Sequence, residues 1–577
     1  MSTGAPSPQR DATPTIPPAT SIPQKRALED DHQPAVSSPL NPDFKPVKQE
    51  DAPRAVRAKK ESLKKRESKG ATLGPDSARA TPDPRSSPQK QSNGRRSSIL
   101  RPMRYKLPPP RPTDFEAPRG PVFIPTFTKK APDGREIQFN ETSDHVYNKK
   151  GFHYTHCIAD PTFPNTLHYR QSESEPFGAR LNFEDTATQM FLDESGHHIS
   201  TNKGFRMAKS NVGVREGRWY WECKITSGIP KRRKSDAQNG EVKEGGHVRM
   251  GWARREATLD APVGFDAYSY GLRDVAGQKV HMSRPKNFLP VGEDICEGDV
   301  IGLEINLPSE TLHRKVVEGN YNPAVDLVDD DHPATAEARE VIRDRVPIRF
   351  KAHLYFEQID YHSTKELEEL MNPSPVSSSG AHGGSSMPPG ATHPSPSLRT
   401  LPHSSIKVYK NGELIGTPFT DLLAFFPPAS KPMPQVGARE GLDDGMLGYY
   451  PAISVFRGGA AEINLGPNFW YPPPEFTDPM EDVDMIGNDV PRVSKLHKLR
   501  AVSERYDEQI AEDIVYDIID EVDWWMHDGA STTRRDGSQN AIPGSSIGLD
   551  GASDGDQMSI GGGVPSDEIK EIVQDDE

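Results

Sequence analysis

Gly217-Arg218-Trp219-Tyr220-Trp221-Glu222-Cys223-Lys224-Ile225 is the stretch on which the fold reading turns. Trp219, Trp221, Cys223 and Ile225 share one face of an extended chain, while Arg218, Glu222 and Lys224 take the other. Strand side chains alternate between faces, so this period of two predicts a half-buried β-strand. Shorter runs repeat the theme: Val248–Trp252, Val300–Leu307, Ile406–Tyr409 and Ala461–Leu465. Lys410-Asn411-Gly412-Glu413 predicts a hairpin turn, because Asn-Gly tolerates positive φ at both central positions. Many short strands with few long helical patterns predict a mainly β chain built as an antiparallel β-sandwich.

Outward from this region the composition changes. The chain has 577 residues, of which 33% are hydrophobic, with 56 Pro and 47 Gly. So few apolar residues predict a folded core flanked by long segments that stay disordered. Residues 1–112 read as one such segment. They carry 22 Lys/Arg against 11 Asp/Glu within a chain of net charge −14, so a basic arm precedes an acidic body. The arm suits polyanions or import receptors; the acidic body does not suit sequence-specific DNA binding. Arg57 to Arg66 holds two basic clusters, with Lys59, Lys60, Lys64, Lys65 and Arg66. They read either as a nuclear localisation signal or as a solvated charge run. Residues 113–177 have no assignment. The sandwich is placed at 178–472, interrupted by a charged insertion at about 308–350 and a Pro/Ser/Gly/His insertion at about 372–403. Loop-closure entropy grows only logarithmically, so a sandwich tolerates both. Lys231-Arg232-Arg233-Lys234 reads as an exposed basic loop that faces a polyanion or solvent.

An acidic linker at 473–492 leads to a helix predicted over 493–527, followed by an acidic tail at 528–577. Ile510, Ala511, Ile514, Val515, Ile518, Ile519, Val522, Trp525 and Met526 fill one half of the helical wheel. Glu512, Asp513, Asp517, Asp520 and Asp523 crowd the other. This amphipathic pattern has two readings. The apolar face packs on the sandwich, or the helix stands detached and buries that face in a partner's groove while its acids stay in solvent.

Catalytic motifs are missing from the sequence: it has no P-loop, no G-x-S-x-G, no H-E-x-x-H and no G-x-G-x-x-G opening a helix. An interaction module is expected rather than an enzyme, with no cofactor and no metal. His153, His156 and Cys157 cluster locally but lack a fourth ligand. His197-His198 reads as a turn. Cys157, Cys223 and Cys296 lie too far apart in sequence for a C-x-x-C zinc site or a disulfide framework, which points to a reducing compartment. No apolar run of about 18 residues occurs, so no membrane-spanning helix is expected.

Several of these runs resemble SPRY domains. Lys203–Met207, Gly213–Glu222 and Val248–Ala253 carry the general likeness. Ala261–Arg273 is more specific and resembles the Ash-two/Bre-two family, the SPRY subunit of COMPASS (Set-one/MLL-type) histone methyltransferase complexes. Gly298–Gly302, Tyr409–Gly412, Tyr450–Ser454 and Asn464–Pro467 continue the likeness in order. Ile510–Asp523 resembles that family's helix for docking the Dpy-thirty/Sdc-one homodimer.

The resemblance implies a nuclear, non-catalytic scaffold that supports methylation of lysine four of histone three by a separate SET-domain chain. It implies that SPRY holds a short acidic segment of a WD-repeat propeller subunit, with a pocket at Phe205, Arg249, Pro262, Phe265 and Arg273. The dimer-docking residues would be Ile510, Ile514, Val515, Ile518, Ile519, Val522 and Trp525. Nucleosome contact would come through the complex. Val275 stands where a basic residue would extend the pocket, and nothing matches the zinc-bearing N-terminal region of animal members. The alternative is a SPRY adaptor outside chromatin, such as a ubiquitin-ligase substrate receptor; too few cysteines are present for a RING or B-box.

Overall fold

Trp221 and Trp252 meet edge to face, ring centroids 6.2 Å apart, between two antiparallel sheets. This contact joins the inward faces of the Gly217–Ser227 and His247–Ala253 strands. Trp219, Cys223 and Ile225 fill the first face, Val248 and Met250 the second, and all lie in one buried cluster. The alternation that predicted the first strand is therefore the alternation that makes the core.

The structure is a computed structural model. It describes residues 101–103, 105–106, 109–148, 151–160, 169–231, 246–326, 341–351, 353–373, 387–434, 438–477, 498–527 and 570–571. The larger sheet has ten strands, with Gly217–Ser227 inside it between Ala460–Asn464 and Val300–Leu307. The second has seven, in the order 284–287, 278–281, 269–273, 247–253, 450–456, 206–210, 181–186. The hairpin at 410–413 forms as expected, with Asn411 at φ 50° and Gly412 at φ 89°. Asn411 also accepts the Val300 backbone N–H at 2.9 Å, which ties the turn to the next strand.

Four sequence expectations change. The first concerns the polar face of the 217–227 strand, which is covered as well. Glu222 is fully buried and accepts the backbone N–H groups of Trp470 and Tyr471 at 2.7 and 2.8 Å. Tyr220 packs against Tyr409 and Leu499. The strand is thus buried on both sides, because the chain after the last sandwich strand folds back across it.

The second concerns 113–177, left without assignment, where the described residues form strands of two sheets. Val122–Lys130 and Glu136–Ser143 extend the ten-stranded sheet. Phe152–Ala159 and Tyr169–Gln171 join Val346–Phe350 and His353–Ile359 in a separate four-stranded sheet. Phe152–Ala159 pairs locally with Tyr169–Gln171, but its other partner, His353–Ile359, lies some two hundred residues downstream, where no local pattern reveals it.

The third concerns the two insertions. Within 308–350, Glu310–Glu318 is a helix capped by Ser309, with Leu312, Val316 and Val317 buried. Within 372–403, Pro396–Leu398 forms a 3-10 turn and Leu401 joins the main core. The fourth is the last helix. It runs Glu504–His527, and Leu499–Ala501 before it is a strand pairing in parallel with Arg218–Tyr220.

The 261–264 loop lies directly on the outer face of the seven-stranded sheet. A Cβ on Gly271 would meet the Val263 carbonyl oxygen at 2.6 Å, and one on Gly251 would meet the Tyr270 carbonyl oxygen at 1.9 Å. Both contacts are with backbone, which cannot rotate away. Gly251→Ala is therefore expected to destabilise the domain by about 1–3 kcal/mol through overpacking. Chemical denaturation checks this, with Gly204→Ala as a control because no atom lies within 4 Å of its Cβ position.

Candidate functional site

The family-implied pocket lies on the outer face of the seven-stranded sheet. Arg249 and Arg273 are direct cross-strand partners. The Arg249 guanidinium sits over the Phe205 ring, 4.7 Å from its centroid, and Phe205 stands 4.9 Å from Phe456. Pro262 and Phe265 come from the loop that rides over Gly271, two residues along the strand from Arg273. Phe265 is about half exposed at the rim. Asp266 fixes this loop by accepting hydrogen bonds from the Thr258 and Tyr268 backbone N–H groups and from Ser269.

Like charges set opposite each other in a sheet repel. Among the described residues neither arginine forms an ion pair with a carboxylate, and Arg249 Nε is buried without a hydrogen-bond partner. Burial, with Arg273 alongside, lowers the Arg249 pKa to about 10, which leaves it cationic at neutral pH. Asp274, next in the chain, is committed elsewhere: it pairs with His247 at 3.0 Å and accepts the Val248 N–H. That hydrogen bond raises the His247 pKa above its ordinary value. The site is thus cationic and walled by aromatic rings, with no carboxylate among the described residues paired to either arginine.

Sequence reading missed four neighbours. Arg273 donates to Gln278 Oε1 at 3.2 Å, and Gln278 donates to Asn287 Oδ1 at 3.1 Å. A polar row Arg249, Arg273, Gln278, Asn287 therefore crosses four strands and steers the Arg273 fork. Phe456 and His247 form the aromatic end, ring centroids 6.1 Å apart. His247 lies two residues before Arg249 on the same face, so strand periodicity alone could have found it. Gln278 and Asn287 depend on a register that no motif marks. Val275 opens the short turn that follows Arg273 and adds no charge.

The Glu504–His527 helix is oriented against expectation. Its acids were expected in solvent, but Asp513 and Asp517 are buried, while Ile514, Val515, Ile518, Ile519, Val522, Trp525 and Met526 are all more than half exposed. Asp513 pairs with Arg343 and Asp517 with Arg345, each at 2.6 Å. Ile510 is half-buried. Trp524, not assigned from sequence, is buried and meets Trp525 edge to face at 4.8 Å. The helix neither stands detached nor buries its apolar face. It docks through its acids because two arginines stand beneath them, and wheel arithmetic does not contain that fact.

The remaining candidates separate. His153 contacts Asn148 at 2.6 Å, His156 contacts Glu184 at 2.9 Å, and Cys157 is buried in a different apolar cluster from Tyr154 and Tyr355. Adjacent residues on a strand point apart, so the local cluster does not converge. Among the described residues no group of three or more potential metal ligands gathers. His197 follows a turn closed by Asp193, and His198 begins a strand. Lys231 pairs with Asp299 at 2.9 Å. Arg232, Arg233 and Lys234 lie outside the described residues, as do Lys59, Lys60, Lys64, Lys65 and Arg66.

No family model matches the chain. Comparison with curated proteins gives 59% identity over 576 residues to COMPASS component cclA of Colletotrichum higginsianum, covering 97% of both chains. COMPASS component cclA of Aspergillus fumigatus is 39% identical, over 89% of this chain and 79% of its own length. Set1 complex component ash2 of Schizosaccharomyces pombe is 39% identical, over 77% of this chain and 56% of its own. A human SPRY domain structure aligns over 49% of this chain at 13% identity with a TM-score of 0.20, which adds nothing to the fold described above. With identity this high across nearly the whole of both chains, the protein belongs to the COMPASS component cclA family, the Ash-two/Bre-two family.

Proposed function

We propose that this chain is a non-catalytic scaffold subunit of a COMPASS-type complex that methylates lysine four of histone three in the nucleus. The methyltransferase is a separate SET-domain chain. In this reading the Arg249/Arg273 pocket holds an acidic segment of the WD-repeat propeller subunit, and the apolar ridge of the Glu504–His527 helix holds a Dpy-thirty/Sdc-one type homodimer. The nucleosome is reached through the assembly, with 231–234 and the basic arm as candidate contacts.

One observation supports the first contact above all others: two adjacent arginines on an aromatic floor, with no carboxylate of the described chain paired to them. Arginine's planar fork matches carboxylates two bonds at a time, and the ring faces keep competing water away. A segment of alternating acids would supply the missing charge. The exposed ridge supports the second. Ile514, Ile518 and Val522 repeat every four residues with Val515 and Ile519 alongside, so two apolar ridges face solvent together. Contiguous apolar surface of this kind marks a docking face.

Arg273→Ala should weaken binding of the propeller subunit's acidic segment at least tenfold, since charge-assisted hydrogen bonds contribute roughly 1.5–3 kcal/mol. Calorimetry checks this, with an unchanged melting curve showing that the domain stays folded. Gln278→Glu should weaken binding further than Gln278→Ala, because the new carboxylate would occupy the Arg273 fork itself. Equal affinity in all three variants would place the acidic partner elsewhere.

The helix contact has its own test. Ile514→Asp with Ile518→Asp should abolish capture of the homodimer in a pull-down while propeller binding persists, because the two surfaces lie on different elements. Each isoleucine contributes roughly 1.5–3 kcal/mol when buried. Retained dimer in the double variant would refute the assignment.

A further inference from the structure

We propose that Arg343 and Arg345 are positioning residues that grip the Glu504–His527 helix by its acidic stripe, so that its apolar ridge is presented preformed and in a single register. This deepens the proposed docking of a symmetric helical dimer and rests on that reading.

Asp513, Asp517 and Asp520 recur at four- and three-residue intervals and so form one stripe along the helix. Arg343 and Arg345 are two residues apart just before the Val346–Phe350 strand, and both side chains reach the helix. Arg343 reaches Asp513, whose other oxygen accepts from Gln171 Nε2 at 2.6 Å. Arg345 reaches Asp517 at 2.6 Å and Asp520 at 3.9 Å. Each guanidinium is also held by a ring: Arg343 lies 4.6 Å from the Tyr516 centroid and Arg345 4.3 Å from that of Phe356. The two side chains are 2% and 8% exposed, so these are interior ion pairs rather than surface ones.

Buried charge makes the grip selective. Removing one partner of such a pair leaves an uncompensated charge out of water, which is strongly unfavourable. Sliding the helix by one turn would strand an aspartate or an arginine in the same way. An apolar seam tolerates sliding; this one does not. The helix is anchored at other points too. Arg505 donates to the Gly213 carbonyl, Tyr506 bonds to Glu173, Gln509 donates to the Asn211 carbonyl, and Trp524 is buried further along.

The consequence is a division of faces. Had the ridge packed on the sheet, it would be unavailable to a partner. Had the helix been free, a partner would have to order it, and an isolated helix of this length is marginal in water. Docking by charge leaves the whole ridge open while removing that ordering cost from the binding step. It also fixes the angle at which a bound dimer stands relative to the sandwich.

The test uses the full chain and a purified homodimer of the Dpy-thirty/Sdc-one type. Arg345→Glu should increase amide hydrogen exchange across 504–527 and weaken dimer binding at least tenfold. Binding of the propeller's acidic segment should be unchanged. Adding Asp517→Arg to Arg345→Glu restores opposite charges in swapped places and should recover both exchange protection and affinity. Asp517→Asn, which touches only the helix side, guards against unfolding by Arg345→Glu and should also raise exchange. Unaltered exchange and affinity in both single variants would overturn the inference, even if the Ile514→Asp, Ile518→Asp variant loses the dimer. If wild-type chain captures no dimer, the functional reading fails, and the exchange data still decide whether the arginines hold the helix.

Discussion

A charge removed from water must meet an opposite charge or a set of hydrogen bonds, and this constraint organises the protein more than any single apolar contact. Lys209, almost wholly enclosed, pairs with Asp185 at 3.0 Å. Arg254 pairs with Glu256, and Arg255 is shared between Asp360 and Asp444. Arg215 bridges Glu310 and Asp443, tying the helix of the first insertion to the loop before the 450–456 strand. The pairs made by Arg215 and Arg255 join segments far apart in sequence. They give the extra strands and the insertions one permitted seating, since any other leaves a buried ion alone.

Against that background the Arg249/Arg273 pair stands out. The chain meets the rule at many positions, but beside the ring of Phe265 two adjacent arginines have no carboxylate paired to them among the described residues. Repulsion between the two forks is tolerated because aromatic faces and the Gln278 carbonyl accept part of their charge. An incoming carboxylate would complete the same pattern that the interior already follows. Recognition at this face and stability within the fold are then one kind of interaction, differing only in which chain supplies the acid.

The terminal helix inverts the usual arrangement for a related reason. Its acidic stripe finds arginines in the four-stranded sheet, so the apolar stripe is left over. That sheet is built from Phe152–Ala159, Tyr169–Gln171, Val346–Phe350 and His353–Ile359, so its two halves lie some two hundred residues apart in sequence. The apolar ridge is therefore displayed by way of a layer three of whose four strands come from parts of the sequence with no assignment or read as insertion.

The sequence by itself determined the sandwich core, the Asn411-Gly412 hairpin and the presence of an amphipathic helix, because each rests on local periodicity or on the backbone freedom of one dipeptide. It also carried the residues of the arginine pocket, through a family likeness and not through spacing. Only the tertiary structure decided which face of the 504–527 helix looks outward, that Glu222 and Tyr220 are covered, and that Gln278 and Asn287 continue the arginine row. The physical reason is the same in each case. Alternation says that a strand or helix has two faces, but which face is buried depends on what stands opposite it. The partners of Asp513 and Asp517 are some 170 residues away, at Arg343 and Arg345. No window of sequence contains both ends of those pairs, so the wheel assigned the acids to water and the folded chain assigned them to arginine.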